Sequence, residues 1–575
     1  MTRIQLAWPR RIRGRSEGHR ARSSRPVLES LERRECLNGS NWSMYNYDSR
    51  GSRNNITEHQ LSASNVGQLG VAWNYPTAAP VAGTPAIVEG VVYAGDEAGN
   101  FYAINQETGA LIWEKNVGAA VTDSPLVTPQ GTVIIGDLHG NVWGLNGLTG
   151  STMWEIHPSN DAGPDTAIWG SATQVGNDVV IGTASNEEAI PSITNYQANG
   201  SVVLINPMNG NILWQTYTIP PSAYASGWRG ASVWSTPTYD NATKTIYVTT
   251  GNYFQQGTTT DPGVEDGVIA LDARTGAIKW TNELVQGDIW NGSIVPSASN
   301  PDADIADNPK LFDLPDGTEA IGVGSKDGFY FLLNAATGAA LNGPNATQLE
   351  VGGVLGGLYA SGAVDQKAGL VFQNGLDWPY GSRPLGGDLY ALSLTGTELW
   401  DFKTPAPNGS GVAIANGVVY FQSLDGTLYM LNEHATSASD ALLATVNTGG
   451  QYSAPAVADG HVFLGTGNAL AGAFSPGLTG SILCLGLPSS ETESASAETA
   501  TMANAPATAS VIGSTASPAA IGLAPTSGLI SPGGNSPGSA QSNLITLDND
   551  LIILASSVAN SAVQQGQLDS RKSPA

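Results

Sequence analysis

One pattern recurs along this chain and limits what it can fold into. An apolar strand is followed by a tight turn, usually spelled Thr-Gly, and then by a Trp a few residues on. Tyr102-Ala103-Ile104-Asn105 leads to Thr108-Gly109 and Trp113. Residues 143–146 lead to Thr149-Gly150 and Trp154, residues 203–206 to Asn209-Gly210 and Trp214, and residues 269–272 to Thr275-Gly276 and Trp280. A weaker copy has Thr337-Gly338 with Leu341 in the place of Trp; Tyr390-Ala391-Leu392 then leads to Thr395-Gly396 and Trp400, and a degenerate copy surrounds residues 429–432. Two halves are left over. Ser481-Ile482-Leu483-Cys484-Leu485 is a strand without its Trp, and Trp73 lies on a strand without its leader. They complete each other if the chain closes on itself. The expectation is an all-β fold, an eight-bladed β-propeller of four-stranded antiparallel blades over residues 70–488, about 52 residues per blade. Closure would remove exposed sheet edges, and each Trp would fill the gap between neighbouring sheets. With 70 Gly, 14 Trp and 13% charged residues, the composition suits short strands and tight turns.

The ends differ from this body. Residues 1–35 carry ten Arg against four Glu, so the remainder holds about −31 of the formal net charge of −25. An acidic body argues against nucleic-acid binding and favours a basic partner. Residues 1–40 are expected to be a basic export segment without the long apolar core of an ordinary signal. The propeller is expected over 41–488, a Ser/Ala/Thr-rich disordered linker over 489–543, and a short tail over 544–575. No run is long and apolar enough to cross a membrane. Cys36 and Cys484 are the only cysteines and no Cys-x-x-Cys-His occurs, so no covalent c-type haem is expected.

The stretch 228–252 carries the chemical signal. Thr245 to Thr249 is β-branched and aromatic, and it ends at Gly251-Asn252. A carboxamide oxygen at such a tip suits a hard cation such as calcium. Trp234, eighteen residues earlier, offers a flat apolar platform. A cation beside an aromatic floor suits a planar anionic cofactor.

Trp234, Tyr239-Asp240 and Gly251-Asn252 resemble a signature of quinoprotein alcohol dehydrogenases, which bind pyrroloquinoline quinone (PQQ). The wording of residues 230–235 and 250–253 is most similar to the polyvinyl-alcohol dehydrogenase-like branch. The opening Asn41-Trp42-Ser43-Met44-Tyr45, with Asn65-Val66-Gly67-Gln68-Leu69 and Trp73, resembles the start of the same family, and residues 25–34 resemble a motif on exported proteins of planctomycete-type bacteria. Lys244, Phe254-Gln255, Asn199-Gly200 and Asn46 depart from the family wording.

The resemblance implies a site. Trp234 would floor the PQQ. Glu187, five residues after Gly182, and Asn252 would ligate calcium. Lys326, in Gly324-Ser325-Lys326-Asp327-Gly328, would bond the quinone oxygens, and Asn374 and Trp378 would close the cofactor from the sixth blade. The family's base lies in Asp-x-Trp-Asp; here the motif is Asp288-Ile289-Trp290-Asn291. An amide is no general base, so Asp288 is the expected acceptor of the alcohol proton.

The resulting expectation is an exported, monomeric, PQQ- and calcium-dependent oxidoreductase that converts an alcohol to an aldehyde or ketone. It would pass electrons to a separate carrier such as a basic cytochrome c. Two other readings stay open. One is a non-catalytic propeller scaffold, which Asn291, Asn199 and Phe254-Gln255 favour. The other is a propeller lectin or hydrolase, for which no second acidic pair is identifiable.

Overall fold

The computed structural model describes residues 41–158, 166–190, 192–288, 290, 302–342, 346–353, 356–377, 386–467 and 479–488. The N-terminal segment 1–40, the linker 489–543 and the tail 544–575 lie outside the described residues, as do Asn291 and Trp378.

Eight four-stranded antiparallel sheets follow one another in chain order. Blade one is Ala86–Val88, Val91–Gly95, Asn100–Asn105 and Leu111–Asn116. The inner strands of blades two to eight begin at Leu126, Thr173, Thr238, Lys310, Ala363, Ala413 and Ala456. Blade eight is completed as expected, by Gly70–Thr77 pairing with Gly480–Gly486. Ala456–Ala458, His461–Gly465 and Gly480–Gly486 then form one sheet with Gly70–Thr77, so opening the ring would expose two edges.

The Thr-Gly-x-x-x-Trp wording has a packing cause. The indole N–H of each repeat Trp donates to a carbonyl in the next blade: Trp73 to Gln106, Trp113 to Gly147, Trp154 to Pro207, Trp214 to Ala273 and Trp280 to Ala335, at 2.8–3.2 Å. The next blade's turn glycine lies against the indole face. A Cβ on Gly109, Gly150, Gly210, Gly276 or Gly338 would come within 2.5–2.8 Å of Trp73, Trp113, Trp154, Trp214 or Trp280 respectively. These glycines also have φ of 68–75°, which a side chain would strain. Where Leu341 replaces Trp, the matching Gly396 has nothing closer than 3.6 Å.

Residues 42–58 form a belt across the inner strands. Trp42 exchanges backbone hydrogen bonds with Ile87; the carbonyls of Ser43, Ser49, Arg50, Ser52 and Arg53 accept the N–H of Val127, Tyr239, Leu311, Val364 and Ile414. Asn55 then donates through Nδ2 to Val457 O at 2.7 Å. Every partner is the second residue of its inner strand. Arg53 is fully buried, with Nε bonded to Val412 O at 2.6 Å and Nη1 to Tyr45 O. The belt thus satisfies inner-strand donors that would otherwise face the axis unpaired.

Candidate functional site at the propeller axis

The repeat places one residue of every blade at the axis, four positions before its inner strand: Ala82, Thr122, Trp169, Trp234, Ala306, Tyr359, Gly409 and Tyr452. Two positions further on, consecutive blades are clasped by hydrogen bonds. Thr84 N–H donates to Ser124 Oγ, Ser124 N–H to Ser171 Oγ, Ser171 N–H to Thr236 Oγ1 and Thr236 N–H to Asn308 Oδ1, at 2.8–3.1 Å. Between these levels lies a cavity of about 190 Å³, with Tyr45 of the belt in its wall.

Beside Trp234, loops of blades three, four and five meet. Asn252 follows the strand Thr245–Thr249 and is fully buried. Its N–H donates to Asp304 Oδ1 at 3.0 Å and its Nδ2 to Trp290 O at 2.7 Å, while its Oδ1 is buried without a hydrogen-bond partner. Gly251 permits this approach, because a Cβ there would collide with Asp304 Oδ1 and come within 3.1 Å of Trp234 Nε1. Lys326 Nζ bonds Asp302 Oδ1 at 2.9 Å and also Asp304 Oδ2, and it lies 5.2 Å from the centre of the Trp234 ring. Burial works against its charge, but Asp302, Asp304 and Glu188 outweigh that, and the ammonium stays protonated well beyond the usual lysine range.

The acids outnumber this one cation. Burial, then Asp304 and Asp302, push the Glu188 carboxyl well up, and its Oε1 is buried without a partner. Burial raises Asp302 more than Lys326 lowers it; its Oδ2 also has no partner. Asp266 is fully buried, both its carboxylate oxygens lack partners, and burial followed by Asp304 and Asp288 raises it well above the carboxylate range. Such a cluster is costly unless protons or a cation neutralise it.

Several expected residues sit elsewhere in this picture. Glu187 is tied to its own loop through one oxygen: Oε2 accepts the N–H of Gln197 at 2.8 Å and of Ala198 at 2.9 Å. Glu188, the next residue, is the one grouped with Asp302 and Asp304. Asp288 is a loop clamp, with Oδ1 accepting Trp290 N–H at 2.8 Å and Oδ2 accepting Ala303 N–H at 2.6 Å. Burial and then Asp304 push it to about 6. Asn374 is fully buried on the strand Leu370–Asp377, donates to Ser410 O at 2.7 Å, and keeps Oδ1 unpartnered. Two departures from the family wording are structural: Asn199 bonds Ile219 through both ends of its amide, and Phe254 packs edge-on against Tyr196 at 5.7 Å.

Sequence reasoning missed Asp302 and Asp304. Their signal was positional, eight and six residues before the inner strand that starts at Lys310. The wording Asp-x-Trp-Asn drew attention to 288–291 instead.

The described residues offer a planar anionic cofactor and its cation a fitting set: an aromatic floor, an adjacent ammonium, and unpartnered buried oxygens on Asn252, Glu188 and Asp302. Comparison with known proteins gives the family. The model of the PQQ_2 family, described as outer membrane protein assembly factor BamB, matches residues 59–298 and 385–518. A polyvinylalcohol dehydrogenase of a Pseudomonas species is 26% identical over 457 residues, covering 72% of this chain and 69% of that protein. A second, from Sphingopyxis sp. strain 113P3, is 26% identical over 371 residues, covering 60% of this chain and 56% of that protein. The chain therefore spans 56–69% of the length of these relatives. The crystal structure of quinohemoprotein alcohol dehydrogenase from Comamonas testosteroni superposes with a TM-score of 0.62 at 19% identity, covering 79% of this chain and 82% of that one. By sequence and by fold, this chain belongs to the PQQ_2 family of β-propellers and is similar to its quinoprotein alcohol dehydrogenases.

Proposed function

We propose that this chain is a PQQ- and calcium-dependent dehydrogenase that oxidises an alcohol to an aldehyde or ketone. The supporting observation is the set of buried, unpartnered oxygens on Asn252, Glu188 and Asp302 around the Lys326–Trp234 contact. Trp234 would floor the cofactor, and Glu188 and Asn252 would hold the cation. When bound, the quinone supplies the two-electron acceptor and calcium the Lewis acid.

The chain's own residues do the rest. Lys326 places positive charge beside the aromatic floor, where negative charge would build on an oxygen. Asp302 presents Oδ2, free of any protein donor, as the acceptor of the hydroxyl proton. Asp288, the base expected from sequence, holds the loop around Trp290 and Ala303 in place. Asn374 Oδ1 remains available to a cofactor. With no haem-attachment motif in the sequence, the electrons would pass to a separate carrier, and the acidic body would steer a basic one such as a cytochrome c. Residues 25–34 support export. Among the described residues no helix is long and apolar enough to cross a membrane.

The test is PQQ binding by the full chain, with and without calcium, followed by absorbance titration beside Asn252→Ala. Saturable, calcium-dependent binding that the variant loses supports the reading. No saturable binding by the folded wild type rejects it and leaves a propeller scaffold.

A further inference from the structure

The axial cavity shares Trp234 with the proposed cofactor site, and the rest of its lining carries a second chemistry. Of the eight positions that face the axis, four are aromatic: Trp169, Trp234, Tyr359 and Tyr452. Trp234 and Tyr359 are tilted at 43° with centroids 6.1 Å apart, so they form adjoining walls and not a stack. Two carboxyl groups share the lining. Glu97 comes from blade one and Asp123 from blade two, and both are buried. Asp123 Oδ2 accepts Gly136 N–H at 2.8 Å, but Oδ1 is buried and no protein donor reaches it; the neighbouring Thr122 Oγ1 is also unpartnered.

No Lys, Arg or His is among the residues described in the lining. Three cations lie outside the wall, and Lys310, behind Asn308, is paired with Asp307. Lys326 is bound to Asp302 and Asp304, and Arg53 sits behind Gly411 with its guanidinium 4.3 Å from the Tyr45 ring. Aromatic faces attract a cation through their quadrupoles, and a carboxylate adds direct charge. A volume of about 190 Å³ admits a small headgroup.

We propose that the axial cavity binds an organic cation, a quaternary or protonated ammonium, against Asp123, Glu97 and the faces of Trp169, Tyr359 and Tyr452. Binding of this cation does not require the quinone or its metal. Where the dehydrogenase reading also holds, and resting on that reading, the favoured alcohols are those carrying an ammonium group.

The site has a proton linkage. Burial, and to a lesser degree Asp137, push the Asp123 carboxyl well above its usual range, against the opposing Gly136 N–H. Glu97 faces the same space from the preceding blade. An ammonium held by the Asp123 carboxylate competes with the proton that burial favours there. Binding therefore strengthens as pH rises.

The test is calorimetric titration of the full chain, without quinone or calcium, using choline, tetramethylammonium and the neutral isostere 3,3-dimethyl-1-butanol. Choline is expected to bind at least about tenfold more tightly than the isostere, more tightly at pH 8 than at pH 6, with proton release. Asp123→Asn keeps an acceptor for Gly136 and should lose about tenfold in affinity together with the pH dependence. Tyr452→Leu should weaken choline by a similar factor and leave the isostere unchanged, which secures the test if the Asn variant folds poorly. Equal affinity for choline and the isostere, or unaltered choline binding in both folded variants, overturns the proposal. Because quinone and calcium are absent, failure here leaves the PQQ-binding test standing, and failure there leaves this one standing.

Discussion

Lys326 Nζ lies 2.9 Å from Asp302 Oδ1, and the other oxygen of that same carboxylate is buried with no hydrogen-bond partner. One half of Asp302 is fixed by charge and the other is left for chemistry. Replacing Asp302 by Asn leaves Lys326 its second partner, Asp304, so folding should be nearly unaffected. Turnover of the PQQ–calcium-loaded chain should fall by about 10²–10⁴-fold. A steady-state assay beside a thermal melt checks both halves of this expectation.

Removing the cation instead is expected to harm the fold. Lys326→Met leaves Asp302 and Asp304 buried without their ammonium, a loss of about 3–5 kcal/mol in the metal-free protein. Denaturant midpoints with and without calcium measure it. Added calcium should recover part of the loss, since a cation can take over the charge.

The two adjacent glutamates should separate cleanly. Glu188→Gln is expected to weaken calcium-dependent PQQ binding by at least about tenfold with little change in stability. Glu187→Gln should do the reverse, costing about 1–2 kcal/mol as the acceptor for Gln197 and Ala198 weakens. Equilibrium binding and urea melts on the two variants distinguish them. Equal effects on binding would return Glu187 to the metal.

Gly251→Ala tests the close approach at the Asn252 tip. The added methyl would push Asp304 from Lys326 and press on Trp234, although the backbone there is unstrained. PQQ affinity should drop at least about tenfold while the melting temperature moves by only a few degrees. Unchanged affinity would show that the tip is not part of the cofactor site.

A pH effect is expected away from the site. Glu433 in blade seven is raised from 4.5 to about 8, by burial and then by its hydrogen bond with Asp365. The folded chain then binds a proton that the unfolded chain releases, so stability falls as pH rises from about 4.5 to 8 and levels off beyond. Glu433→Gln keeps a donor for Asp365 and should flatten that slope. Urea midpoints at pH 5, 7 and 9 measure it.

Much of the architecture was legible because its cause is local. A turn glycine that must take a left-handed backbone and also lie on an indole face leaves a written trace at five of the repeats. Trp73 and the strand 481–485 could be joined as halves of one blade for that reason, and Asn252 and Lys326 could be placed on blade loops by counting from it. The choice between Glu187 and Glu188 had no such trace. Both lie in the short helical turn Glu187–Ala189, where adjacent side chains point in different directions, and the bonds of Gln197 and Ala198 to Glu187 are made by residues ten and eleven positions on. Asp302 and Asp304 are some fifty residues from Asn252 in sequence and reach it only when blades four and five close on the axis.

By itself, then, the sequence determined the repeating unit, the number of blades and the seam that closes them, since each follows from short-range turn chemistry and apolar periodicity. Only the tertiary structure decided which carboxylates gather around Lys326, which position of each blade faces the axis, and that residues 42–58 lace the inner strands together. Those facts depend on how separate blades are turned toward one another, and that rotation is set by packing between sheets, which no single stretch of the chain encodes.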